Sequence, residues 1–165
     1  MVRKSLTLAT TAFAVLALAT PASAAPGSGS HNGRTLSASN ATDLDPAGET
    51  ITVTGTGYDP KKGYYVALCQ VPDDFRYGDN PTPCQGGDGQ GGSGVGPSAW
   101  VTNTPIGTNP STPIAADGSF TTQIRITQSG SRLDCTQVTC AIVSKRDHIG
   151  LGDRSFDVFI PVSWS

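Results

Sequence analysis

Charge is scarce in this sequence: of 165 residues only 15% are Asp, Glu, Lys or Arg, the formal net charge is −2, and there are two histidines and one methionine. Each shortage removes a class of fold or function. Helical bundles and coiled coils need Ala, Glu, Lys, Leu and Arg, whereas this chain is rich in Gly, Thr, Ser, Pro and Val, which favour turns and strands. No basic run is longer than Lys61-Lys62 or Lys145-Arg146, so the polypeptide lacks the surface on which phosphate binding and counterion release rest. No nucleic-acid partner is expected. A nucleophile elbow, Gly-x-Ser-x-Gly, is absent. His148 directly follows Asp147, and neighbours in sequence rarely face each other as a Ser-His-Asp site requires. No catalytic residue is assigned, and the chain is read as a non-enzyme. The acidic pairs Asp43-x-Asp45 and Asp73-Asp74 lack the 12-residue calcium loop and read as turn residues, so no metal site is assigned.

What is present begins with a leader. Arg3 and Lys4 precede the apolar run Leu6 to Ala19, and Ala22-Ser23-Ala24 is a small-x-small cleavage pattern, so residues 1–24 read as a signal peptide. The apolar run is shorter than the roughly 20 residues a membrane span needs. The mature chain is therefore expected to be secreted, with no membrane span, and monomeric. Without Arg3 and Lys4 the 11 basic residues fall to nine against 13 acidic ones, a net of −4. Residues 25–34 are Gly- and Ser-rich without periodicity and read as a flexible N-terminal segment. The domain is expected over residues 35–165.

All four cysteines, Cys69, Cys84, Cys135 and Cys140, fall in the exported part, where disulfides form and persist. Four cysteines allow three pairings. The sequential pairing closes two short loops that local geometry can satisfy, with contributions of about 3 and about 2 kcal/mol by loop entropy. A zinc site is disfavoured because neither spacing is Cys-x-x-Cys.

Short alternating runs with turn signals between them recur from Leu36 onward. Ile51 and Val53 alternate with Thr50, Thr52 and Thr54; Phe120, Ile124 and Ile126 alternate with Gln123 and Arg125; Phe156, Val158, Ile160, Val162 and Trp164 alternate near the end. With Leu36 to Asn40, Tyr64 to Gln70, Ser98 to Thr102 and Thr139 to Ser144, about seven strands are predicted, an all-β immunoglobulin-like sandwich. Ser144 to His148 reads as a solvated polar turn, and the Gly-rich run over 85–97 as a mobile loop.

Aromatic residues concentrate around the first cysteine pair: Tyr58, Tyr64, Tyr65, Phe75, Tyr77 and Trp100. Rings of this kind either fill the sandwich core or wall a ligand cleft, which needs apolar sides and a few polar groups.

The segment Gly48 to Tyr58, followed by Gly63-Tyr64-Tyr65-Val66-Ala67-Leu68-Cys69-Gln70, resembles the opening strands of the neocarzinostatin and macromomycin apoproteins, as does Asp134-Cys135-Thr136-Gln137-Val138-Thr139-Cys140 farther on. Ala116 to Phe120 is similar to that family's entry to its middle strand. The resemblance implies a seven-stranded sandwich exported by actinomycetes. It also implies a cleft that carries an enediyne chromophore, with the antibacterial, DNA-damaging action residing in the ligand. Carried over by position, Cys69 and Cys84 floor that cleft and Gln70 stands beside it. The sequence departs from the family pattern in a short hairpin, Thr127 to Leu133, and in Ala141-Ile142-Val143 after the fourth cysteine.

The expected function is binding or sequestration of an apolar small molecule near Cys69, Gln70 and Cys84, walled by some of Tyr65, Phe75, Tyr77 and Trp100. No cofactor is expected beyond such a non-covalent chromophore. Two other readings are a cell-envelope interaction module without a chromophore, and haem or metal capture through Tyr64, Tyr65 or His148.

Overall fold

The computed structural model describes residues 24–87 and 95–165. The signal peptide expected over 1–24 lies, except for Ala24, outside the described residues, as do residues 88–94 of the Gly-rich run.

Among the described residues, eight strands form two antiparallel four-stranded sheets. The strands are β1 (Ala25–His31), β2 (Arg34–Thr42), β3 (Glu49–Thr56), β4 (Tyr64–Gln70), β5 (Ser98–Val101), β6 (Phe120–Ile126), β7 (Cys140–Arg146) and β8 (Val158–Pro161). A single 3-10 turn, Arg154–Phe156, precedes β8. The first sheet runs β1-β2-β3-β6 and the second β5-β4-β7-β8. The two close on each other as a sandwich.

In the first sheet the alternation predicts the packing. Registers Leu36↔Gly55 and Ile51↔Ile124 put Leu36, Ile51, Val53, Phe120 and Ile124 into the core, while Thr121, Gln123 and Arg125 face water. Tyr64, Val66, Leu68, Ile142, Val158 and Ile160 meet them from the second sheet. Tyr58 is buried among these side chains, and its hydroxyl lies 2.6 Å from Ser144 Oγ, which satisfies a polar group the core otherwise cannot. Burial pushes the Tyr58 hydroxyl well above the usual tyrosine range.

Two expectations are corrected. Residues 25–34 are ordered as strand β1, a turn at Asn32-Gly33 and the start of β2 rather than a flexible segment: β1 pairs with β2 through Gly27↔Ala38 and Gly29↔Leu36, so the sheet starts at Ala25 and not at residue 35. Glycine serves close approach here, since a Cβ at Gly29 would lie 1.8 Å from the carbonyl oxygen of Phe159 in β8. The polar run Ser144 to Asp147 is not a solvated turn. β7 continues through Lys145 and Arg146, and Ser144, Lys145, Arg146 and Asp147 are all buried. The Arg146 guanidinium donates to Gly63 O at 3.2 Å and lies 5.2 Å from the Phe156 ring centre. The described ends of the Gly-rich run are held in place: Gln85 N donates to Leu68 O at 2.8 Å, and Arg125 N donates to Gly96 O at 2.8 Å.

Gly29→Ala is expected to lower unfolding free energy by about 2 kcal/mol, because β1 must lift from the β8 backbone. Gly152→Ala is the control, since nothing lies within 4 Å of a Cβ built there. Urea unfolding midpoints of the two variants test this, and equal midpoints would remove the packing role assigned to Gly29.

Candidate functional site

β4 and β7 are buried on both faces. An ordinary sandwich strand buries one, so the outer side of the second sheet must be covered. Facing outward there are Tyr65, Ala67 and Cys69 from β4, Trp100 from β5, Ala141, Val143 and Lys145 from β7, and Phe159 from β8, paired side by side as Tyr65↔Trp100, Ala67↔Val143, Cys69↔Ala141 and Val143↔Phe159. Small side chains in the middle and rings at the borders make a trough. Its apolar lining, Ala67, Cys69, Val71, Cys84, Ala141, Val143 and Phe159, forms a cluster separate from the sandwich core.

The roof of the trough is the loop between the first two cysteines. At its base the disulfide Cys69–Cys84 joins β4 to a short antiparallel bridge, flanked by Gln70 N to Pro83 O at 2.9 Å and Gln85 N to Leu68 O at 2.8 Å. From the loop's interior, Phe75 lies over Phe159 at 3.9 Å between ring centres. Tyr77 sits 5.4 Å from Phe159 and stacks on His31 at 3.6 Å and 12°. Among the described residues, no backbone-to-backbone hydrogen bond ties residues 73–82 to the sandwich; those present, such as Phe75 N to Pro72 O, stay within the loop. Its tethers use side chains. Thr139 Oγ1 donates to Asp73 Oδ1, Tyr77 Oη to Ser30 O at 3.2 Å, Arg154 Nη1 to Asn80 Oδ1 at 3.2 Å and Lys145 Nζ to Pro81 O at 3.2 Å.

At the other end of the trough Tyr65 Oη lies 2.8 Å from His148 Nδ1, and Trp100 Nε1 donates to Asp147 Oδ2 at 3.2 Å. Tyr64 points the opposite way, into the core, with its ring edge-on to Tyr58 at 4.9 Å. Tyr64 and Tyr65 therefore cannot serve one site with His148. Among the described residues no group of three or more His, Cys, Asp or Glu side chains is placed to hold a metal ion.

The fold thus gathers Tyr65, Cys69, Cys84, Trp100, Phe75 and Tyr77 on one face, whereas Gln70, expected beside the cleft, is half-buried and alternates onto the opposite face of β4 with Val66 and Leu68, in register with Cys140. The six are divided between floor and roof. Tyr65, Cys69, Cys84 and Trp100 are at most 6% exposed, while Tyr77 is 45% exposed. Phe159, His31, Ala141, Val143 and Lys145 were not assigned to the site from sequence. A signal for Phe159 exists in Val158-Phe159-Ile160: when the flanking residues face the core, a Phe between them faces outward and needs a cover of its own.

The neocarzinostatin family model matches residues 36–156, from β2 through the 3-10 turn, with both disulfides and the β4, β5 and β7 part of the trough inside the match and Phe159 just beyond it. The chain belongs to the neocarzinostatin family. Among solved structures macromomycin shares the fold, with a TM-score of 0.50 and 18% identity over 80% of this chain and 99% of macromomycin. A curated relative, thiamine biosynthesis protein X of Corynebacterium glutamicum, is 35% identical over 102 residues, 61% of this chain. The chain spans about half the length of that relative, 49% of it. Neocarzinostatin-family apoproteins are ligand carriers, and membership supports a small-molecule-binding role. In this neocarzinostatin-family chain both disulfides pair sequentially, Cys69 with Cys84 and Cys135 with Cys140. The space above the first disulfide is occupied by the chain's own Phe75 and Phe159 rings. No helix among the described residues is long and apolar enough to cross a membrane.

Proposed function

We propose that this neocarzinostatin-family member is a secreted, non-enzymatic protein that sequesters an apolar small molecule in the trough, with residues 71–84 acting as a displaceable roof. The observation that carries this is the second apolar cluster, set on the outside of a sheet and covered by one loop that only side chains hold in its middle. Lifting Phe75 and Tyr77 removes a few partly exposed ring contacts, at a cost of about 2 kcal/mol, and a ligand that takes their place against Val143 and Phe159 recovers it. Exclusion of water in such a trough protects a reactive ligand. An enediyne-type chromophore is the occupant the family implies, and any antibacterial action then belongs to the ligand. Two disulfides and the leader pattern support export.

The test uses the exported protein with Trp164→Phe, which leaves Trp100 as the reporter at the trough, since the chain has two tryptophans. Extract from the producing culture is expected to shift Trp100 fluorescence and to raise the melting temperature. A ligand at a hundredfold excess over its Kd adds about 2.7 kcal/mol. Absence of a bound chromophore in the native protein, together with no shift from any extract, sinks the reading.

A second reading is a cell-envelope interaction module, favoured by the same self-filled trough and by the outer face of the first sheet, where Ser28, Ser37, Thr52, Thr54 and Gln123 present hydroxyl and amide groups across paired strands. Recovery of a specific wall glycan or protein by pull-down, with no small ligand, favours it over the first.

A further inference from the structure

We infer that the chain carries a second binding site, independent of the trough, for a small organic molecule that joins an oxyanion to an apolar body. The site is an open concavity of about 460 Å³ between the segment leaving the first disulfide and the short hairpin before the second. Gln85 and Gly86 form one wall, Gly130 to Arg132 another, Val95 and Pro97 a third, and Arg125 and Thr127 at the end of β6 complete it. None of these residues lines the trough.

The walls are fixed before any ligand arrives. The buried Gln85 amide and Thr127 bond each other like a pair of strand residues: Gln85 Nε2 donates to Thr127 O at 2.6 Å, and Thr127 N donates to Gln85 Oε1 at 3.2 Å. Gly130 N donates to Leu133 O at 2.9 Å, and Arg125 N to Gly96 O at 2.8 Å. Gly86 has φ +72°, and a Cβ there would lie 2.6 Å from Ser98 Oγ and 2.7 Å from Pro97 Cγ, so the turn lies flat on the start of β5. The Ser98 hydroxyl beneath it is buried and has no hydrogen-bond partner among the described residues. Preorganised walls spare a ligand the entropy of ordering them.

The chemistry of the lining names the ligand class. Among the described residues its charged groups are two guanidiniums, Arg125 and Arg132. Both are exposed, and the ion pairs among the described residues, Lys62–Asp59 and Arg154–Asp157, involve neither. Two arginines lining one concavity run against the sign of an acidic chain. Guanidinium forks match carboxylate, phosphate and sulfonate oxygens, and Val95 and Pro97 across the gap offer apolar surface to the rest of the molecule.

The test compares 8-anilino-1-naphthalenesulfonate with N-phenyl-1-naphthylamine, the same skeleton without its oxyanion, and with inorganic phosphate, the oxyanion without a body. The full exported protein is expected to bind the sulfonate with amide shifts at Gly86, Gly130 and Arg132, and to lose affinity as salt rises. Arg125→Ala with Arg132→Ala is expected to weaken sulfonate binding tenfold or more while leaving the melting temperature and the binding of the neutral amine unchanged. Arg125→Lys with Arg132→Lys restores part of it. Phosphate binds more weakly than the sulfonate if the body contributes. Undiminished sulfonate binding by the double alanine variant, or amide shifts confined to Ala141, Val143 and Phe159, overturns the site. Either result leaves the trough reading standing, because that reading is decided by the culture extract and by Trp100.

Discussion

Replacing Cys69 and Cys84 together by alanine is expected to lower unfolding free energy by about 3 kcal/mol, against about 2 kcal/mol for the Cys135 and Cys140 pair. The difference follows from the chain each bridge closes, since the sequence separations are 15 and 5. The larger effect also has a local signature. Cys69 and Cys84 face each other across a bridge with Cα atoms 4.0 Å apart, and the flanking hydrogen bonds at Gln70 and Gln85 persist without the sulfurs. Residues 73–82 have no such backbone anchor, so the loss should concentrate there. Amide exchange at Phe75 and Tyr77 is expected to accelerate far more than at Ile51 or Ile124, which sit in the core. Urea unfolding at fixed pH measures the global term. A double variant that loses less than the Cys135/Cys140 variant, or whose exchange rises uniformly, contradicts the assignment of the bridge to the roof.

The second large effect depends on pH and belongs to Asp157. Its side chain is fully buried between the 3-10 turn and β8, with Arg154 Nη1 3.1 Å from Oδ2 and no hydrogen bond to either carboxylate oxygen among the described residues. Burial pushes this carboxyl up to about 7, against the pull of Arg154 and Lys145. A group whose proton is held more tightly in the folded than in the unfolded state stabilises the fold fully below its ordinary value of 3.8. That stabilisation falls as pH rises toward 7 and is flat above it. Its span is about 4 kcal/mol at most. Asp59, Asp117, Asp134 and Asp153 are shifted the other way by hydrogen bonds from neighbouring backbone amides and hydroxyls, so their contribution is lost as pH drops below 4. Stability is therefore expected to peak near pH 4 to 5 and decline toward neutrality. Asp157→Asn should abolish the decline and leave the acid limb. Melting temperatures of both proteins from pH 3 to pH 8 check it, and an unchanged slope in the variant assigns the titration elsewhere.

The sandwich was legible wherever one face of a strand is wet. β3 and β6 alternate because water and core impose opposite demands on successive side chains, and Ile51, Val53, Ile124 and Ile126 fall where that alternation puts them. Legibility stopped where both faces are covered. Lys145 and Arg146 read as solvated because their charges are, on average, exposed, yet here a loop and the Phe156 ring cover them. β1 was unreadable for a different reason: its glycines leave room for the β8 backbone, and an atom that is missing for steric reasons leaves no periodic trace. Cysteine spacing and ring density pointed to residues that the fold gathers on the outer face of the second sheet. Which rings are floor and which are roof depends on how residues 71–84 fold back, a matter of long-range packing. The concavity at Arg125 and Arg132 is assembled from segments dispersed between Gln85 and Arg132, and no local pattern announces it.

The contact between Gly29 and Phe159 has a bearing on the order of events in making the molecule. β1 leaves the ribosome early and β8 late, and the flank they share cannot shut until the later strand is available. Until then β1 lies at the edge of its sheet, held by β2 and by Tyr77, which stacks on His31 and donates to Ser30 O. Contacts so far apart in sequence slow folding, since chain closure must come before the contacts that reward it. The seam between β1 and β8 is therefore expected to close after the pairing of β2 with β3.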